Sequence, residues 1–148
     1  MERWKPHVTV AAVVENQGRF LMVKEHTAYG IRYNQPAGHL EAGETLLQAV
    51  VRETLEETAW EVEPTGLLGI YQADSEQGDI TYMRFAFICR PVEHHPQRPL
   101  DSGIIEAQWL TPAEIEALQP QHRGPSVSAT LQDALSASPG PLTLLHAL

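Results

Sequence analysis

The stretch RETLEET, residues 52–58, sets three carboxylates beside a single cation in a segment with helical periodicity. On a helix that advances about 100° per residue, Glu56 and Glu57 fall roughly −60° and +40° from Glu53, so all three share one arc. Like charges at this spacing cost a helix ~0.2–0.5 kcal/mol per pair. The segment from about Thr45 to Thr58 holds no lysine, and Arg52 is its one cation, so pairing along the helix is not expected to offset the repulsion. Charge runs on helices are usually solvated faces. Here, however, the helix follows NQPAGHLEAGE, whose small residues let backbone approach a ligand. Carboxylates on a rigid helix, with a backbone carbonyl nearby, form a hard-oxygen site of the kind that suits Mg²⁺ or Mn²⁺.

The rest of the chain supplies a sheet for that helix. HVTVAAVV and RFLMVKEH, joined by ENQG, read as a β-hairpin with Gly18 in the turn. AYGIRYNQPAG reads as a loop punctuated by Gly30, Pro36 and Gly38. Thr45 is the expected helix N-cap, read without a capping box, and Leu47, Val51 and Leu55 form the stripe expected to pack on the sheet. GLLGIYQAD and DITYMRFAFICRPV read as strands joined by SEQG, HHPQRPLDSG as a loop and IIEAQWL as a short strand. Thr111, Pro112 and Glu114 spell a capping box with proline at the first helical position. SVSATLQDALSA is a final helix, and LTLLHAL a last strand or docked tail. Strands and helices that mix without strict alternation predict an α/β fold with helices on a mixed sheet. Residues 1–148 are expected to form one domain.

Charge and composition narrow the functional classes. A net charge of −9 argues against a grip on nucleic acid polymers. No run reaches the roughly 18 apolar residues of a membrane span, and the cytoplasm is the expected location. The single cysteine, Cys89, excludes an internal disulfide and a cysteine-rich zinc site, and is expected to be a small buried hydrophobe. Paired-histidine metal spacing is absent as well, so zinc is not expected; His94 and His95 read as solvated. Trp4 is expected to cover the first strand. Tyr29, Tyr33, Tyr71, Tyr82 and Trp109 can stack on a substrate ring or fill a core.

The spacing in the acidic segment closely resembles the Nudix box: Gly38, five residues, Glu44, seven residues, then Arg52, Glu53, Glu56 and Glu57. KPHVTVAAVV, NQPAGHLEAGET and WLTPAEI extend the similarity to a phosphatase subgroup of the Nudix hydrolase family. Two positions depart from the pattern. Ala59 stands where glycine usually ends the helix in a left-handed conformation, and Thr54 where an aliphatic residue is usual.

The resemblance implies the Nudix fold, an α/β/α sandwich with a mixed sheet. It also implies a Mg²⁺-dependent enzyme, with Mn²⁺ as the alternative ion, that cleaves phosphoanhydrides of small molecules. Glu53, Glu56, Glu57 and the Ala37 carbonyl would hold metal; Arg52 would orient carboxylates, with Glu44 supporting it. Glu53 is the first choice for general base, and Asp101 and Glu106 are further candidates. His39, Tyr33, Tyr71 and Glu106 are candidate substrate contacts. The expected reaction releases orthophosphate from nucleoside tri- and diphosphates and from thiamine-related pyrophosphates, namely thiamine pyrophosphate and hydroxymethylpyrimidine pyrophosphate. Two other readings stay open: a pyrophosphatase acting on nucleoside triphosphates or nucleotide sugars, and a catalytically silent nucleotide-binding module. Oligomeric state is not legible.

Overall fold

β1 (His7–Asn16) is the spine of the molecule, and its sequence explains why. Val10 to Val14 are all buried, the unbroken apolar run of a strand covered on both faces. The computed structural model describes residues 1–148. β1 and β2 (Arg19–Thr27) do form a hairpin, turned by Gln17 and Gly18 with positive φ. Only Glu15–Phe20 and Asn16–Arg19 pair, however, before the strands part. β4 (Ala37–His39) then takes the freed edge of β1. On its other side β1 runs parallel to β6 (Thr81–His94), which pairs antiparallel with β5 (Trp60–Asp74). β2 lies between β3 (Gly30–Asn34) and β7 (Ile104–Leu110). The segment expected as a loop after β2 thus supplies two strands.

Helices cover both faces. Val10, Ala12 and Val14 pack with Ala49 and Val50 of α1 (Leu46–Thr58). Val13, on the opposite face of β1, packs with Ile115 of α2 (Pro112–Ala117) and with Val127 and Leu131 of α3 (Pro125–Ser136). This is the expected α/β/α sandwich on a mixed sheet. Cys89 is buried in the first of these clusters. The tail forms a single 3₁₀ turn at Leu142–Leu144 rather than a strand.

Three local expectations need correction. Thr45 does head a capping box: its hydroxyl accepts from Gln48 N–H and the Gln48 side chain accepts from Thr45 N–H. The face of α1 seated deepest on the sheet carries Ala49, Val50, Thr54 and Thr58; of the expected stripe, Leu47 and Val51 pack against the same core from its margin and Leu55 does not join it. Small side chains let the helix sit close to the strands, and the larger ones flank the contact. The fully buried Thr54 hydroxyl donates to Val50 O at 2.7 Å, which satisfies the polar atom inside the helix. Trp4 is 69% exposed and joins neither core cluster. The helix exit follows the expected form in spite of its alanine: Ala59 adopts φ 62°, ψ 18° and donates to Leu55 O.

Candidate functional site

α1 and β4 build the site between them. Arg52 lies at its centre. Nε and Nη2 donate to the two oxygens of Glu44 at 3.0 and 2.6 Å, a two-pronged bond whose planar fork matches a carboxylate. Nη1 donates to Glu53 Oε1 at 2.8 Å and to Glu56 Oε1 at 2.7 Å, and Nη2 reaches the His39 carbonyl at 3.0 Å. One cation therefore offsets much of the expected repulsion, including through an i,i+4 pair with Glu56. The Arg52 bond holds the Glu44 carboxyl below its usual range, and the three carboxylates in turn hold the guanidinium firmly charged.

Glu53 and Glu57 sit deeper. Burial raises the Glu53 carboxyl, and Arg52 opposes that rise. Glu57 is 9% exposed and has no cationic partner; Oε1 accepts the Ala37 N–H at 2.9 Å. Burial pushes its carboxyl up to about 8, with Glu25, Glu53 and Asp101 adding like charge. Asp101 joins the group from the loop before β7, held by its N–H to the Glu56 carbonyl. Carboxylate oxygens of Glu53, Glu56 and Asp101 lie within 4.8 Å of one another.

Of these acids, Glu53 and Glu57 open onto a cavity of about 590 Å³. Ala37, Gly38, His39, Glu53 and Glu57 form one wall. Tyr71, Tyr82 and Arg84 come from β5 and β6, and Glu25, Arg123 and Tyr29 from elsewhere. At the rim, His7 Nδ1 and His39 Nε2 are 2.9 Å apart, and both rings meet Tyr82 edge-on. Burial and the neighbouring His7 lower the His39 pKa. Tyr71 donates to Asp133 at 2.6 Å. A larger open depression of about 720 Å³ lies along Leu47, Val51, Leu55 and Pro64, and Arg52, Glu56 and Arg98 line it as well.

The sequence-derived candidates thus divide. Ala37, His39, Glu53, Glu57 and Tyr71 line the cavity, with Arg52, Glu44 and Glu56 bonded around them. Tyr33 is buried away from it, its carbonyl accepting from Arg123 N–H. Glu106 is exposed on β7, bonded to Gln108, and does not reach the cavity. Trp109 packs edge-on against Trp60, which stacks on His94. Sequence reasoning missed Glu25, Arg84 and Arg123. Arg123 pairs with Glu25 across the mouth. Arg84 left one legible trace, a lone cation in the strand run MRFAF.

Comparison with known proteins agrees with this architecture. Residues 5–129 match the NUDIX domain model. Phosphatase NudJ of Escherichia coli K12 is 37% identical over 143 residues, covering 96% of this chain and 92% of that protein. A NUDIX hydrolase from Nitrosomonas europaea is 43% identical, with a TM-score of 0.94, over 97% of this chain and 98% of its own. The NUDIX domain of Shewanella oneidensis NrtR, solved with ADP ribose, shares the fold at 16% identity and a TM-score of 0.69, over 90% and 91% of the two chains. With a glutamate-bearing helix against a mixed sheet and these matches along nearly its whole length, the chain belongs to the NUDIX family of hydrolases, enzymes that cleave phosphoanhydrides. No helix is long and apolar enough to cross a membrane.

Proposed function

We propose that residues 1–148 act as one Mg²⁺-dependent phosphatase unit. It releases orthophosphate from nucleoside tri- and diphosphates and from thiamine-related pyrophosphates. The observation that carries this reading is Glu53, held by Arg52 beside Glu44 and Glu56, opening together with Glu57 onto a cavity that Arg84 and Arg123 also line. Likeness to phosphatase NudJ over 92% of that protein supports the choice of orthophosphate as product.

The donor set fits a hard divalent cation. It is all oxygen, Glu53, Glu56 and Asp101 bring carboxylate oxygens within 4.8 Å of one another, and Glu57 is a buried carboxylate that makes no ion pair. Glu53, Glu56 and Glu57 would hold the ion, with the Ala37 carbonyl as a further donor; Mn²⁺ would suit the same atoms. Bound there, a divalent cation neutralises phosphate charge and makes water a stronger nucleophile.

The chain's own groups then have separate tasks. Arg52 fixes Glu44, Glu53 and Glu56 in one geometry, so the carboxylates need not reorganise during the reaction. Glu53 Oε1 is held by Arg52, while Oε2 has no partner. Oε2 is the atom we assign to accept a proton from the attacking water. Tyr29, Tyr71 and Tyr82 offer the organic end of the substrate aromatic surface.

The test is a substrate panel with and without Mg²⁺, followed by phosphorus NMR. A nucleoside triphosphate gives diphosphate and orthophosphate first, then monophosphate; thiamine pyrophosphate gives its monophosphate. Pyrophosphate as first product overturns the phosphatase reading and favours a pyrophosphatase. No turnover on any phosphoanhydride favours a silent nucleotide-binding module.

A further inference from the structure

Arg84 is a buried cation that forms no close ion pair, though the Glu57 and Tyr71 charges pull on it from farther off. It lies on β6, a strand with neighbours on both sides, opposite Thr9 of β1 and Tyr71 of β5. It is 6% exposed and takes part in none of the molecule's ion pairs. Two neutral amides hold it: Nη1 donates to Asn34 Oδ1 at 3.1 Å and Nη2 to Gln35 Oε1. Gln35 is itself fixed, because its amide N–H donates to Val127 O at 3.0 Å. Nε has no partner. A guanidinium has five N–H donors, so most of this one's capacity is unspent.

Such a group is expensive to keep. Burial disfavours its charge and brings its pKa down to about 10, still well above neutrality, so it stays positive. Neutral amide oxygens satisfy hydrogen bonds but do not neutralise charge, and a buried unpaired charge is destabilising. As a mere strut between Asn34 and Gln35, a neutral donor would serve at lower cost. Arg84, however, lines the same cavity as Glu53 and Glu57. A phosphate chain lying there faces carboxylates on one wall and needs fixed cations on another. A neutral carbonyl of the organic moiety would leave the charge unmet; a phosphate oxyanion meets it, with the geometry that suits arginine.

We infer that Arg84 is a substrate-binding residue whose guanidinium takes an oxyanion of the substrate's phosphate chain, its orientation preset by Asn34 and Gln35. The inference rests on the phosphoanhydride reading above.

Calorimetry with a non-hydrolysable imidotriphosphate analogue of a nucleoside triphosphate, in Mg²⁺, reads the contact without turnover. Hydrogen bonds to a charged group predict that Arg84→Gln weakens Kd by about tenfold or more. KM should rise in parallel while kcat changes far less, the pattern of lost uniform binding. Arg84→Lys keeps the charge and recovers part of the affinity, with a melting temperature close to that of the wild type. Wild-type Kd in both variants overturns the inference. So does a loss of affinity that lysine fails to recover and that comes with a large drop in melting temperature, the mark of a structural strut. Should Arg84→Gln not fold, an unchanged Kd in Arg84→Lys overturns it, and a weakened Kd with wild-type melting temperature supports it. Failure of the wild type to hydrolyse any phosphoanhydride, with analogue binding still dependent on Arg84, would remove the proposed reaction and leave the oxyanion site standing.

Discussion

Gly38 lies against the carboxylate of Glu53: a Cβ added at Gly38 would stand 2.1 Å from Cδ and 2.3 Å from both oxygens. The glycine is required here by close approach, since its φ is not in the left-handed region. Glu53 is the far end of a long side chain and can swing away, but the site cannot follow. Gly38→Ala is therefore expected to keep its fold and lose activity by about 10–100-fold, the cost of mispositioning a ligand. Activity assays beside thermal melts check this. Near wild-type rates would show that Glu53 does not act from its present position.

Glu57 couples folding to pH and, on the proposed function, to metal. Its folded pKa, about 8, lies above the ordinary 4.5, so between these values the folded chain binds a proton that the unfolded chain does not. Its contribution to stability is full below 4.5 and is lost as pH rises through about 8. The melting temperature in EDTA should accordingly fall across that window, and Mg²⁺ should flatten the fall by supplying the missing counter-charge. Glu57→Gln should remove this part of the slope, hold or raise the metal-free melting temperature, and cost at least about 100-fold in activity. Glu56→Gln should cost most of the activity as well. Slopes that coincide in wild type and Glu57→Gln would assign the pH dependence to other groups.

The acidic site was legible in the sequence because its parts are local. Gly38 to Glu57 lie on one helix and the segment before it, so spacing alone sets their geometry. What was not legible depends on distant partners. β3 and β4 are strands because β2 and β1 offer them edges, whereas their own glycines and proline argued for a loop. Leu47, Val51 and Leu55 carry the stronger hydrophobic signal, yet close packing on the sheet selected Ala49, Val50 and Thr54. Glu25, Arg84 and Arg123 reach one cavity from three separate places along the chain, a convergence that no spacing records.

Ala59 carries a conformational penalty at the helix exit. At φ 62° an L-residue costs roughly 1–2 kcal/mol that glycine avoids. Against this, glycine gains freedom in the unfolded chain and gives up one buried methyl. Ala59→Gly should stabilise by a net ~0.5–1 kcal/mol, a rise of about 1–4 °C in melting temperature for a chain of this size. Activity should be unchanged, since Ala59 does not line the cavity. A clear fall in melting temperature would mean that the methyl's packing outweighs the left-handed strain.

Arg52 is the residue whose charge cannot stand in for its shape. Its fork holds both oxygens of Glu44 while the rest of the guanidinium reaches Glu53, Glu56 and the His39 carbonyl. A lysine ammonium is a point charge with three donors and no plane, so it can serve Glu44 or the helix acids but not all of them in register. Arg52→Lys keeps the net charge and is expected to lower activity by about 10–100-fold. It should also raise the Mg²⁺ concentration needed for half-maximal rate, because the released carboxylates must be ordered as metal binds. The effect on melting temperature should be small, since Arg52 is partly exposed and its ion pairs are screened. Titrating activity against Mg²⁺ in the two proteins separates the explanations: coincident curves with equal maximal rates would remove Arg52 as the organiser of the site.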